Sequence, residues 1–210
     1  MLKLKVQIGA KKISYNPLSV SLKYLIEEKK LRQSLDNLVK VFGLKLSALQ
    51  VNNFMSESGG EIRVAKHAGK PDELIISRVK IDTKFSVDYF RNHVAGLVAN
   101  LKDEEIKYLH IFIPAYEPFK KYFETEEYYY QTFMEGAFLG AYSFDKYLSK
   151  KTSKQLEVYF YAANEKKLKS ALANSNNVMA GVQFTRDLQN EPGANLTPKI
   201  FAAKIKAELI

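Results

Sequence analysis

Apolar and polar residues alternate with two different periods along the chain, and the changes of period mark the predicted elements. Residues 2–8 alternate apolar and polar side chains, which is the pattern of a half-buried strand. From Leu31 to Phe42 the apolar positions recur every three or four residues, and Gly43 follows. This spacing predicts an amphipathic helix that ends at a glycine.

Short apolar runs separated by turn-prone residues follow this helix. We predict strands over residues 48–54, 61–66 and 74–79, because Ser58-Gly59-Gly60 and the Gly-Lys-Pro-Asp sequence at 69–72 interrupt the chain between them. Residues 18–26, which precede the helix, fit either a strand or a helix, and we favour the strand.

The second half of the chain alternates helices with strongly apolar strands. Ser86 is predicted to cap a helix that continues to Leu101. Residues 106–113 and 156–161 are largely apolar, as in strands that are covered on both faces. Between these two strands, a helix is predicted from the acidic, tyrosine-rich segment at 124–130 through Tyr147.

A long helix over residues 164–190, capped by Asn164, follows the last strand. The alternation of elements predicts an α/β fold, with a mixed, mostly parallel sheet that has helices on both faces, followed by this long connecting helix. The predicted division is a domain over 1–163, the connecting helix over 164–190, and the start of a second domain over 191–210.

The last segment is predicted to begin a new helix. Thr197 followed by Pro198 provides a hydroxyl cap and a proline at the first helical position. The apolar positions of this helix share one face, and they are Phe201, Ile205 and Leu209. Because the pattern is still running at Ile210, we expect the chain to be part of a longer protein whose next domain covers this face.

Composition narrows the class of protein. Hydrophobic residues make up 46% of the 210 residues and cysteine is absent, which predicts a packed core and excludes disulfides and zinc–thiolate sites. The formal net charge is +9, but 27 of the 32 basic residues are lysines scattered among glutamates, which favours a solvated surface over nucleic-acid recognition. No apolar run approaches the roughly 20 residues that span a bilayer, so we expect a cytoplasmic protein.

The polar residues form no pattern for catalysis or metal binding. The histidines are His67, His93 and His110, and their spacing matches no metal-ligand motif. We interpret His93 and His110 as hydrogen-bonded structural residues. The clustered carboxylates are Glu124, Glu126 and Glu127, and further on Asp187 and Glu191. The first group is interpreted as a solvated patch and Asp187 as a local cap or ion pair, so no catalytic, metal-binding or substrate-binding residue is predicted.

Two glycines, Gly136 and Gly140, lie four residues apart on one face of a predicted helix. Glycine inside a helix costs about 1 kcal/mol relative to alanine, so the pair needs a compensating contact. We expect another backbone to pass close against that face, and we interpret the pair as a packing feature rather than a binding site.

Two segments of the chain resemble the leucyl aminopeptidase, or cytosol aminopeptidase, family. The first, EGAFLGAYSFDKY at 135–147, is similar to the Glu-Gly-x-x-Leu-Gly-x-Tyr-x-Phe-Asp-x-Tyr segment that ends the family's N-terminal domain. The second, TRDLQNEPGANLTP at 185–198, resembles the segment that opens the catalytic domain, with Thr185 and Gln189 in place of the family's alanine and valine. The order and separation of the two segments also agree with the family, whereas the first hundred residues carry only a general likeness.

The resemblance implies a macro-like N-terminal domain that precedes a peptidase domain. That second domain would use two divalent ions, such as zinc or manganese, to remove N-terminal residues from peptides, and the whole would assemble as a homo-oligomer, usually a hexamer. The family's Asn-Thr-Asp-Ala-Glu-Gly-Arg signature is absent from this chain, so the chain alone is expected to bind no cofactor, to be inactive, and to serve assembly or regulation. Two alternatives stay open: a stand-alone macro-like module that binds ADP-ribose or another nucleotide, and a basic nucleic-acid-binding domain.

Overall fold

The computed structural model of the chain describes residues 2–8, 18–57, 60–65, 72–102, 104–149 and 154–208. Its strands are β1 (Leu2–Ile8), β2 (Ser19–Ile26), β3 (Glu61–Ala65), β4 (Asp72–Val79), β5 (Tyr108–Phe112) and β6 (Lys154–Tyr161). Its helices are α1 (Leu31–Phe42), α2 (Ala48–Met55), α3 (Tyr89–Asn100), α4 (Glu126–Ala141), α5 (Glu165–Asn190) and α6 (Pro198–Glu208).

The six strands form one sheet in the order β1-β6-β5-β2-β4-β3. Every neighbouring pair is parallel except β3 and β4, which pair antiparallel at one edge. Strand β2 lies between β4 and β5, so that Leu22 faces Ile75 on one side and Ile111 on the other. The predicted mixed, mostly parallel sheet is therefore confirmed.

Successive side chains of β4 enter two separate cores on opposite faces of the sheet. Ile75 and Val79 pack in the larger core, to which α3, α4 and α5 contribute. Leu74 and Ile76 pack in a smaller core with residues of α1 and α2. This alternation is the ordinary consequence of the two-residue period of a strand, and it confirms helices on both faces.

Helices α3 and α4 approach each other closely at the two glycines of α4. A Cβ added at Gly136 would lie 2.5 Å from the carbonyl oxygen of Arg91 and 3.0 Å from the Cβ of Val94. At Gly140 the added Cβ would lie 2.9 Å from the Cα of Ala95. The predicted backbone against this face is confirmed, and it is the backbone of α3.

Several predicted boundaries are confirmed by the capping residues. Helix α1 ends at Gly43, whose φ of 60° is in the left-handed region that glycine adopts without strain. The side chain of Asn164 accepts a hydrogen bond from the backbone of Lys167 at the start of α5. Thr197 accepts from the backbone N–H of Ile200 in the same way at α6.

The predicted strand over 48–54 is wrong, because this segment is helix α2. Ser47 and Gln50 form a reciprocal capping box, in which each side chain accepts a hydrogen bond from the backbone N–H of the other, at 3.2 and 2.9 Å. The only fully buried side chain of this helix is Phe54. The Ser-x-x-Gln pattern was the sequence signal for a helix start, and it outweighs the short apolar run.

Two helix boundaries also differ from the prediction. Helix α3 begins at Tyr89 rather than just after Ser86, because the Ser86 hydroxyl accepts from the backbone of Asp88 and holds a separate turn. Helix α4 ends at Ala141 rather than at Tyr147. The backbone of Tyr142 is not helical, and its side chain donates a hydrogen bond to Asp187 of α5. Contacts with another helix therefore end α4 early.

Strand β6 was predicted to be covered on both faces, and only one face is buried. Leu156, Val158 and Phe160 are buried in the larger core, whereas Glu157 and Tyr159 on the opposite face are partly exposed. The Tyr159 hydroxyl donates to the Glu157 carboxylate at 2.7 Å. Tyrosines look apolar in the sequence pattern, but their hydroxyl groups allow them to occupy a half-exposed position.

Candidate functional site

The two segments that carry the family resemblance come together at one place in the structure. The segment after α4 lies beside the end of α5 and the face of α6, although its residues are about 45 positions away from their α5 partners in the sequence. We call this place the joint, and define it by Tyr142, Lys146, Tyr147, Asp187, Asn190, Glu191 and Lys204.

Tyr142 connects the end of α4 to the last turn of α5. Its hydroxyl donates to Asp187 Oδ1 at 2.9 Å and accepts from Asn190 Nδ2 at 3.1 Å. The Arg186 guanidinium lies 5.1 Å from the centroid of the Tyr142 ring, within the range of a cation–π contact. The prediction of a local cap or ion pair for Asp187 is thus corrected, since its carboxylate accepts from a residue on another element.

Glu191 is the centre of the joint. Its side chain is only 2% exposed, and its carboxylate accepts hydrogen bonds from Lys146, from the Tyr147 hydroxyl at 2.5 Å, and from Lys204 at 3.0 Å. Lys146 and Tyr147 belong to the segment after α4, whereas Lys204 belongs to α6. One carboxylate therefore connects the segment that precedes α5 in the sequence with helix α6, which follows it.

These donors lower the pKa of Glu191 from 4.5 to about 2, with Lys146 as the largest cause, followed by Tyr147 and Lys204. A pKa lowered in the folded state stabilises the fold above about pH 4.5, and that contribution is lost as the pH falls toward 2. We expect an NMR titration of the Glu191 carboxyl carbon to give a midpoint near 2. The Lys146→Met substitution should raise this midpoint toward 4.5, whereas the control Lys40→Met, on α1, should leave it unchanged. An unchanged midpoint in Lys146→Met would show that Lys146 does not lower the pKa of Glu191.

A groove with a volume of about 570 Å³ runs alongside Glu191. Its apolar walls are Phe144, Phe184, Leu188 and Ala207, and its polar lining includes Asp145, Lys146, Asp187, Glu191, Lys204 and Glu208. The two lysines face Glu191 directly, so the groove mixes apolar surface with paired charges rather than presenting a single nucleophile or base.

Helix α6 has an apolar side that the described part of the chain leaves largely open. Ile200 and Phe201 are 40% and 41% exposed, and Ile205 is partly buried. Leu209, the last member of the predicted stripe, lies outside the described residues. On α5, Val178 is also exposed, so that both helices have exposed apolar side chains.

The two histidines within the described residues are hydrogen-bonded, as predicted. His93 Nδ1 lies 2.8 Å from the Tyr24 hydroxyl, and its Nε2 lies 3.2 Å from Glu61 Oε2. His110 Nδ1 lies 2.8 Å from the Tyr161 hydroxyl. His67 lies outside the described residues. His93 lies on α3 and His110 on β5, and the two side chains have different hydrogen-bond partners.

Two carboxylates of the acidic group, at the start of α4, form ion pairs and are not simply a solvated patch. Glu126 and Glu127 lie in the first turn of α4, and Lys167 of α5 contacts their carboxylates at 3.3 and 3.6 Å. Carboxylates in a first helical turn are also favoured by the helix dipole. Their role is to fasten α4 to α5, and the sequence could not show this because the lysine is about 40 positions away.

No group of three or more His, Asp or Glu side chains lies close enough to hold a metal ion within the ranges that the structure describes. In the same ranges, no helix is long and apolar enough to cross a membrane. None of these described residues is therefore assigned as a ligand of the two divalent ions that the resemblance implies.

No family model matches the chain. It is 30% identical over 179 residues to a probable cytosol aminopeptidase of Persephonella marina. The matched residues make up 84% of this chain and 36% of that protein. The corresponding protein of Sulfurihydrogenibium is also 30% identical, over 87% of the chain and 36% of its own length. The chain thus spans about a third of the length of these curated relatives.

Solved structures share the fold. A mutant of tomato leucine aminopeptidase matches 99% of the chain and 42% of its own length with a TM-score of 0.70 at 15% identity. The cytosol aminopeptidase of Coxiella burnetii matches 97% of the chain and 36% of its own length with a TM-score of 0.57 at 14% identity. The resemblance predicted from the two motifs is thus confirmed, and the chain is a relative of the cytosol, or leucyl, aminopeptidases, consistent with the N-terminal domain of that family.

Proposed function

We propose that this chain is the N-terminal, non-catalytic domain of a cytoplasmic di-metal aminopeptidase that removes N-terminal residues from peptides. The observation that carries the proposal is the joint, in which the segment that resembles the end of an N-terminal domain closes onto the segment that resembles the start of a catalytic domain. The similarity to cytosol aminopeptidases over 84% of the chain but 36% of the relative supports the same reading.

In this proposal the metal chemistry belongs to a region beyond these residues. A structural neighbour, the bottromycin maturation enzyme BotP, was solved in complex with Mn and matches 91% of the chain with a TM-score of 0.57. Two ions, manganese or zinc, would activate water and polarise the scissile carbonyl in the peptidase domain. The present chain would contribute assembly or regulation, within a homo-oligomer that we propose to be a hexamer.

The end of α5 and the open side of α6 are the proposed contact with the peptidase domain. Ile200 and Phe201 expose apolar area that a following domain would cover, and burying such area is the main source of stability at permanent interfaces. The groove beside Glu191 adds apolar walls to this contact surface, and its charged side chains could form the polar rim of the interface.

The coding sequence after Ile210 tests the proposal. We expect the reading frame to continue into a segment in which a lysine and several aspartates and glutamates have the spacing of a two-metal site. A stop codon directly after Ile210, or a continuation that lacks such residues, would refute the aminopeptidase assignment.

The nucleotide-binding alternative has less support. Phosphates are commonly held by glycine-rich loops, and the ten glycines of the chain form neither the Gly-x-Gly-x-x-Gly pattern nor a P-loop. Calorimetry with ADP-ribose separates the two proposals, because micromolar binding would favour the stand-alone module. A steep salt dependence of binding to a labelled oligonucleotide would instead favour the nucleic-acid alternative.

A further inference from the structure

Helix α6 has no side chain in either core. None of its residues from Pro198 to Glu208 is buried, and it follows α5 after Pro192 and a short 3-10 turn over Gly193–Asn195. Because none of its side chains is fully buried, α6 depends more than a core helix does on the polar contacts of Lys204 and of the turn before it. The contacts that hold α6 therefore decide in which direction the chain leaves the domain.

Two connections hold α6 and the turn before it, one to Glu191 at the end of α5 and one to Tyr147 in the segment after α4. Lys204 Nζ donates to Glu191 Oε1 at 3.0 Å, and Asn195 Nδ2 donates to the Tyr147 hydroxyl at 2.8 Å. Tyr147 in turn donates to Glu191 Oε2 at 2.5 Å. Both connections thus converge on the same carboxylate, one directly and one through Tyr147.

We infer that Glu191 is the positioning residue of this joint, because its carboxylate fixes the direction in which α6 leaves the domain. The consequence of this direction for the placement of a following domain rests on the proposed function. The three donors come from two elements that have no other carboxylate in common among the described contacts. The Glu191 side chain is only 2% exposed, so it is covered by the groups that surround it. Loss of the carboxylate removes the shared acceptor of both lysines and of Tyr147 at once.

The absence of cysteine from the chain allows a direct measurement. One spin label is placed at Asn174→Cys, on the exposed side of α5, and the other at Lys206→Cys, on the exposed side of α6. Pulsed electron paramagnetic resonance on the full 210-residue chain then gives the distribution of distances between the two labels. We expect a single narrow distribution in the parent pair and a broad or divided one when Glu191→Ala is added.

Matched variants separate positioning from stability. Lys204→Met should broaden the distribution and Lys204→Arg should keep it narrow, since arginine preserves the charge and the donor. Asp36→Asn, which removes an exposed carboxylate paired with Arg32 on α1, should leave the distribution unchanged. If Glu191→Ala lowers the melting temperature enough to unfold the chain, Lys204→Met and Lys204→Arg decide the question alone.

A narrow distribution in Glu191→Ala and Lys204→Met, or a broad one in the parent pair, overturns the inference. Either result can be told apart from a failure of the proposed function, because the coding sequence after Ile210 tests that proposal separately. Conversely, a downstream sequence without metal-ligand residues refutes the proposed function and does not change the distances measured within this chain.

Discussion

Replacing Gly140 with alanine is expected to lower the free energy of unfolding by about 1–3 kcal/mol, the usual cost of overfilling a packed interface. The added Cβ would lie 2.9 Å from the Cα of Ala95 and closer still to the carbonyl oxygen of that residue. Both atoms are backbone atoms, so the overlap can be relieved only by moving α3 away from α4. Urea unfolding followed by circular dichroism measures the change.

Gly181→Ala is the matched control, because it makes the same substitution inside α5. A Cβ at this position would meet no atom within 4 Å, so only the intrinsic helix preference for alanine acts. We expect this variant to gain about 0.5–1 kcal/mol. A Gly140→Ala variant as stable as the Gly181→Ala variant would show that α3 and α4 do not approach as closely as described.

Glu135→Ala is expected to cost about 3 kcal/mol, because it removes the counter-charge of a largely buried arginine. The Arg91 guanidinium donates to Glu135 at 2.7 and 2.8 Å, and the two side chains are 18% and 8% exposed. Gln131 also donates to the same carboxylate at 2.7 Å. The substitution therefore removes the better-buried of the two carboxylates that Arg91 contacts and the acceptor of Gln131, and urea unfolding gives the loss directly.

The second carboxylate paired with Arg91 provides the control. Asp88 contacts the same guanidinium, but its side chain is 52% exposed, so Asp88→Ala should cost less than about 1 kcal/mol. The double variant Arg91→Met/Glu135→Leu should recover most of the loss, since an apolar pair can replace a buried ion pair. Equal losses in Glu135→Ala and Asp88→Ala would contradict the importance of burial.

The helices and strands of the fold could be predicted wherever the apolar residues kept a single helical or strand period over enough positions. The amphipathic pattern of α1 with its terminal Gly43, the Asn164 cap of α5 and the strand pattern of β1 are all local signals, and the structure has each of them. The segment at 48–54 was predicted wrongly because a short apolar run fits two periods. Only the Ser47 and Gln50 side chains decide between them.

The joint could not be predicted in detail, because its partners are far apart in the sequence. The two motifs indicated that the segments belong to one family, but no local pattern pairs Glu191 with Lys146 and Lys204. The early end of α4 has the same origin, since Tyr142 leaves the helix to reach Asp187. By contrast, Gly136 and Gly140 gave a local signal of a tertiary contact, because glycine inside a helix is costly without one.

We propose that this chain is an N-terminal domain that needs a further domain for catalysis. Hydrolysis of leucine p-nitroanilide in the presence of Mn²⁺ or Zn²⁺ tests it, with the 210-residue chain and the product of the complete reading frame assayed side by side. We predict metal-dependent hydrolysis by the complete product and none by the chain alone. Hydrolysis by the chain alone at a rate comparable with that of the complete product would show that these residues are not a non-catalytic domain.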